Sequence, residues 1–220
     1  MSPLHVKDAT CPTGPAAPRG RFTLRVLAML CFGAALVMFS YSSWIPIKAQ
    51  IAQILLERAF AQSLADGKPA KPWSWADTWP VARISIPRLN TSAIVLNGAT
   101  SEALAFGPAH LNETPSPGER GTSVIAAHRD THFSFLQQVK TGDDINVRRS
   151  DGASFRYRVT GLRVADWNRT GIDAHAPGYN LVLSTCYPFG SIVSGTERYI
   201  VEATRIKQTT GSDLQAISRF

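Results

Sequence analysis

Val26 to Ile47, VLAMLCFGAALVMFSYSSWIPI, is a run of 22 residues without a charge, and no other feature limits the fate of this chain so tightly. A helix of about 20 apolar residues crosses the hydrocarbon core of a bilayer. A helix that is apolar on every side has no polar face to offer water, so it fits poorly as a buried element of a small soluble domain. Lys7, Arg19, Arg21 and Arg25 precede the run, and Tyr41 and Trp44 stand near its far end, where amphipathic rings favour the membrane interface. This pattern predicts one transmembrane anchor at 26–47, a cytoplasmic tail at 1–25 and export of everything after residue 47. A cleaved signal peptide is the competing reading. It is disfavoured by the length of the run and by the lack of a small-x-small site closing it.

Export changes the meaning of the composition. The formal net charge is +7 and the pI about 9.7, values that can mark a nucleic-acid binder. Here the basic residues are scattered, and part of the excess sits ahead of the anchor, so they speak to membrane topology and no nucleic acid is expected. The remaining basic surface reads as a solvated face, with an anionic membrane or an acidic partner as its other possible use. Of the three cysteines, Cys11 lies in the tail and Cys31 in the anchor. Cys186 is therefore alone in the exported region and has no partner there for a disulfide. An unpaired thiol in an oxidising compartment invites a functional explanation.

After the anchor, Lys48 to Leu64 places Ile51, Ile54, Leu55, Ala59 and Leu64 near helical spacing, and Asp66-Gly67-Lys68-Pro69 ends the pattern. Residues 48–72 thus form a juxtamembrane helix and linker. PWSWADTWP, from Pro72 to Pro80, carries Trp73, Trp75 and Trp79 and reads as a hydrophobic strap across the start of a globular domain at 73–207; a lid over the active site is the second reading. From Val81 the texture is β. Strands are predicted at Val81–Ile86, Ser92–Leu96, Thr122–Ala127, Ile145–Arg149, Phe155–Val164, Leu181–Thr185 and Arg198–Ile206, with Ser134 to Val139 at most a short helix. Short strands with few helices predict an all-β barrel or sandwich. Residues 208–220 are left as a C-terminal tail.

The chemistry gathers on three separated segments. In NLVLSTCYPF, Leu181 to Leu183 form a buried-strand run and Pro188 cannot continue a ladder, which puts Cys186 at a strand end. A thiol nucleophile needs a proton carrier. His128 follows the apolar run Val124 to Ala127 and occupies the same kind of position, whereas His132 stays open as an alternative and His110 and His175 lie in Gly/Pro-punctuated segments. Acyl transfer builds charge on a carbonyl oxygen, and Arg198, opening the last strand after a loop that returns from Cys186, is a candidate to meet it; an ordinary strand-edge arginine paired with Glu197 or Glu202 is the reading that spacing alone favours. A Cys, His and Asp triad using Asp130 or Asp166 is not separated from this set by spacing alone.

LSTCYPF followed by Arg198, with AAHRDTHF upstream, resembles the sortases, membrane-anchored cysteine transpeptidases of bacterial surfaces. The matching positions are Leu183, Thr185 and Cys186, then His128 with Arg129, then Arg198; Ser184 fills a variable position and Ala127 stands where glycine is common. The WSWADTWPVAR, ALAFGPAH and HRDTHFSFL segments look most like the class found in Gram-negative proteobacteria. The resemblance implies a closed β-barrel of about eight strands with short helices, and no cofactor. It implies that Cys186 attacks the Thr-Gly carbonyl of an LPXTG-like sorting signal, that His128 acts as acid and base, and that Arg198 stabilises the oxyanion or positions the peptide. Thr185 is implied to bind substrate or orient the site, and the acyl group to pass to an amine or to water. A cell-wall cysteine peptidase and a non-catalytic membrane-anchored binding module are the expectations from other classes.

Overall fold

The computed structural model describes residues 19–206 apart from Ile192 and Ser194. The expectations for 1–18, for the tail at 208–220 and for the side chains of Tyr41 and Trp44 lie outside the described residues. The chain divides into two units, one ending at Lys48 and the other beginning at Ala49. In the first, helix α1 (Arg19–Asp66) begins. Its window Phe22–Phe39 is long and apolar enough to cross a membrane, and none of it is buried by protein. The sequence pattern separates an anchor from a second helix at Lys48, but the backbone is helical without a break through Pro46. A proline removes one hydrogen bond from the ladder and here does not end the helix.

The second unit is a closed barrel. Its strands are β1 (Pro80–Ile86), β2 (Thr91–Asn97), β3 (Ala109–His110), β4 (Gly121–Ala126), β5 (Asp144–Arg149), β6 (Ser154–Asp166), β7 (Tyr179–Tyr187) and β8 (Glu197–Ile206). They follow one another around the barrel as β1-β2-β3-β4-β7-β8-β6-β5, and β5 returns to β1 to remove the free edges. All seven predicted strands are present. The eighth, β3, has two residues, too few for any alternation to be visible.

Period-2 alternation sends one set of side chains inward. Ile84, Val95, Ile125, Val147, Val159, Leu183 and Val201 are among the buried residues that fill the barrel. Tyr157 is wholly buried with them, its hydroxyl accepting from the Gly118 N–H at 2.6 Å. The C-terminal part of α1 packs outside the barrel, where Leu56 and Phe60 join Ile94, Leu96, Ala103 and Ala109 in a second core. Gln53 donates to the Phe106 carbonyl at 2.7 Å. Arg83 pairs with Glu57 and lies over the Phe60 ring, 5.1 Å from its centre. The short helix α2 (Ser101–Phe106) completes this layer, with the Thr100 hydroxyl capping the Ala103 N–H at 3.2 Å.

The tryptophan segment lies on the same side. Trp73 meets Phe106 edge to face at 4.9 Å, and the Asn97 N–H donates to the Trp79 carbonyl at 2.9 Å. The Thr78 hydroxyl donates to the Asn97 carbonyl at 2.8 Å, while Trp75 is exposed. These contacts make the segment a strap along β2 and α2.

Candidate active site

Strands β4, β7 and β8 are neighbours, and their registers decide what stands beside what. β4 and β7 run parallel, with Ala126 level with Ser184. The Ala127 N–H continues the ladder to the Ser184 carbonyl at 3.2 Å. The paired register ends there; His128 follows two residues after Ala126, just past the end of β4, and Cys186 two residues after Ser184. β7 and β8 run antiparallel, and Cys186 is directly opposite Arg198.

Cys186 and Arg198 also share a face. Leu181, Leu183, Val201 and Ala203 point into the barrel core, so alternation turns Val182, Ser184, Cys186, Arg198 and Ile200 outward. On β4 the outward set is Val124 and Ala126, and His128 follows beyond the strand's end. Val124, Val182 and Ile200 form an apolar floor on the outside of the barrel, with Leu111 and Ile172 packed against it. Above this floor is a cleft of about 390 Å³ lined by, among others, Leu111, Thr114, Trp167, Ile172, Ser184 and Arg198. Leu111 and Thr114 come from the β3–β4 connection, and Trp167 and Ile172 from the β6–β7 connection. An extended chain laid along the floor would reach Arg198 and its cross-strand partner Cys186 at one end.

The individual side chains differ in their constraints. His128 is exposed and Cys186 partly so. The Arg198 guanidinium donates to the Glu197 carbonyl at 3.0 Å and to the Gly195 carbonyl at 3.4 Å, which holds it at the cleft. Thr185 is buried, and its hydroxyl donates to the Ala127 carbonyl at 2.7 Å. Of the two roles the resemblance implies for it, orienting the site is the one this contact serves, because it ties the residue before Cys186 to the residue before His128.

Arg129 was legible only as the neighbour of His128. It is 7% exposed, and its guanidinium donates to the carbonyls of Ser191 and Val193, the latter at 3.1 Å. It therefore pins the loop that joins Cys186 to Arg198. Its carboxylate contact is Asp130, at 3.4 Å and largely exposed. Asp166 is opposite Glu197 at the end of the β6–β8 ladder. Neither aspartate has a hydrogen bond to His128 among the described residues, so the triad alternative gains no geometric support.

His110 and His132 sit in more enclosed places, while His175 is exposed. His110 is buried, with Nε2 at 3.0 Å from the Pro115 carbonyl and 3.2 Å from the Thr114 hydroxyl. The same hydroxyl donates to the Leu111 carbonyl at 2.7 Å and accepts from the Val124 N–H at 3.1 Å. This knot fixes the cleft wall formed by Leu111 and Thr114. Burial holds the His110 imidazole below its ordinary value, against the opposing pull of the Pro115 carbonyl, Glu119 and Glu113. His132 is also held low, first by burial, against its contact with the Ala105 backbone in α2; the nearby His128 pushes it the same way as burial.

Comparison with known proteins bears on the family and the fold. A family model described as the sortase domain matches residues 84–206. Sortase D of Bacillus subtilis (strain 168) is 29% identical over 124 residues, covering 56% of this chain and 62% of that protein. The chain thus spans less than two thirds of that relative. The crystal structure of sortase C-1 from Actinomyces oris is similar with a TM-score of 0.53 and 30% identity, over 59% of this chain and 74% of that one. The lid mutant of sortase A from Corynebacterium diphtheriae gives a TM-score of 0.56 over 75% of this chain and 98% of its own; at 22% identity this likeness concerns the fold.

Proposed function

The chain belongs to the sortase family, and from that premise we propose that it is a membrane-anchored cysteine transpeptidase acting on proteins with an LPXTG-like sorting signal. The observation that carries this reading is the cross-strand pair of Cys186 and Arg198, with Arg198 lining a cleft and His128 just past the end of the neighbouring strand β4. The Cys186 thiolate attacks the carbonyl carbon of the Thr-Gly bond. The negative charge that develops on the carbonyl oxygen is met by the Arg198 guanidinium, opposite the nucleophile on β8. Collapse of the tetrahedral intermediate breaks the C–N bond, and His128 gives its proton to the leaving glycine amine. A thioacyl-enzyme remains. An amine acceptor then attacks the thioester, His128 takes up its proton, and the Cys186 thiolate leaves as the new amide forms.

The same proposal assigns 26–47 to a single membrane span, 48–72 to the juxtamembrane segment and 73–207 to the catalytic domain, on the outer side of the bacterial cytoplasmic membrane. The apolar window of α1 supports the anchor, and the basic residues ahead of it support the orientation. The motif segments around Trp73, His110 and His132 support a place among the Gram-negative sortases.

The test is transfer itself. Full-length protein in detergent micelles is given a fluorescent LPXTG peptide with and without an added primary amine. The reading expects an amide product that depends on the amine and vanishes in Cys186→Ala. Hydrolysis of wall peptides without any amine dependence would instead indicate a cell-wall peptidase.

A further inference from the structure

The cleft beside Arg198 is not the end of the groove. Beyond Ile172, which lines both, a second cleft of about 280 Å³ opens on the same outer face, lined in part by Asp173, Glu202, Asn180, Thr122, Thr160 and Thr204. We propose that this second cleft binds residues of the substrate chain lying upstream of the sorting motif and selects for a basic side chain there. The proposal rests on the transpeptidase reading and extends it to substrate choice.

Length is the first argument. A strand rises about 3.3 Å per residue, so Val182 lies roughly 13 Å and Asn180 roughly 20 Å from Cys186 along β7. Four extended residues, the Leu-Pro-X-Thr of the motif, span at most about 14 Å. They fill the first cleft and end near Val182. The second cleft, from Val182 to Asn180 and Thr204, can be reached only by residues further upstream.

Charge is the second. The chain carries a formal net charge of +7, yet the walls of this cleft hold two carboxylates and no Lys or Arg. Glu202 is engaged by Arg163 from outside, at 2.7 Å. It reaches that partner across Gly161, where an added Cβ would come within 3.1 Å of its carboxylate. Asp173 is exposed and uses Oδ1 to accept the His175 N–H at 2.8 Å. Its remaining oxygen faces no cation among the described residues. A lysine or arginine on the substrate would supply one, and the hydroxyls of Thr122, Thr160 and Thr204 offer partners to its backbone.

The contrast with the first cleft sharpens the assignment. That cleft has an apolar floor and a tryptophan wall, suited to the Leu-Pro part of the motif. The second is built from polar side chains and would receive a polar segment.

Full-length Cys186→Ala in detergent micelles separates binding from chemistry. Two fluorescent peptides carry the same LPXTG motif, one preceded by Gly-Ser and the other by lysine one and two positions upstream. The lysine peptide is expected to bind about three-fold tighter, an advantage typical of a partly exposed ion pair. Raising salt from 0.05 to 0.5 M should shrink that advantage, and Asp173→Asn should bring the lysine peptide down to the neutral one. With the active enzyme the difference should appear in KM and leave kcat unaltered, as expected for uniform binding. Equal affinities, or an advantage that survives Asp173→Asn, would overturn the second site while leaving the transpeptidase reading in place. Failure of both peptides to bind would overturn that reading and this proposal with it.

Discussion

Cys186 and Arg198 face each other across the β7–β8 ladder, an antiparallel pair one position in from the last pair, Tyr187 and Glu197. The guanidinium is therefore placed by backbone register and held by loop carbonyls, with little left to side-chain freedom. Arg198→Lys keeps the charge but not the planar fork. Loss of one oxyanion donor typically costs about 100- to 1,000-fold in kcat. Both Arg198→Ala and Arg198→Lys should fall in that range with near-normal thermal stability, as measured by steady-state kinetics beside a melting curve.

Thr185 ties strand β7, just before Cys186, to the residue before His128, the proposed nucleophile and proton carrier. Thr185→Val keeps the shape and removes the donor to the Ala127 carbonyl, leaving that acceptor buried and unpaired. A loss of about 1–3 kcal/mol in stability is expected. Thr185→Ser should recover most of the activity, because the hydroxyl is what positions His128 relative to Cys186. Chemical denaturation and kcat measured on both variants check this.

The C-terminal part of α1 belongs to the barrel's packing as well as to its tether. Leu56 and Phe60 are essentially inaccessible, sealed against Ile94, Leu96 and α2. Leu56→Ala or Phe60→Ala in the full chain should cost about 2–5 kcal/mol. Thermal denaturation in detergent reads this directly, and variants at exposed Ile51 or Ile54 should change it little.

His110 and His132 make stability depend on pH. Both are held by burial below the ordinary value of 6.5. As pH falls below that value the unfolded chain takes up protons before the folded one does, so folding is weakened on acidification. Above it, both histidines are neutral in either state and add no slope. Stability should therefore rise with pH across the window just under 6.5 and level off above. His110→Gln, which keeps a donor for the Pro115 carbonyl, should flatten part of that rise in denaturation curves taken at several pH values.

What the sequence displayed and what it hid follow from the range of the interactions. The seven longer strands were legible because each alternates or runs apolar by itself. β3 was not, since Ala109 and His110 are a strand only because Asn97 and Ile125 lie beside them. α2 is one short turn sequence with a single visible signal, the Thr100 cap. The proposed catalytic residues were legible as two strand ends and a late arginine. The cleft was not, because its floor joins Val124, Val182 and Ile200, which only the β4–β7 and β7–β8 registers bring together. Arg129 carried its signal in the HRD triplet, yet its task of holding the loop at Ser191 and Val193 is a tertiary contact that no local pattern announces.

The central claim is that Cys186 carries an acyl group between donor and acceptor. The most direct measurement is intact-mass spectrometry of the full-length protein after brief exposure to an LPXTG peptide, followed by an amine chase. The account predicts a mass gain equal to the acyl half of the peptide, localised to Cys186, absent from Cys186→Ala, slowed in His128→Ala and Arg198→Ala, and discharged by the amine. Turnover of the peptide by Cys186→Ala, or a thiol that alkylates readily yet never gains acyl mass over a range of sorting motifs, would contradict it.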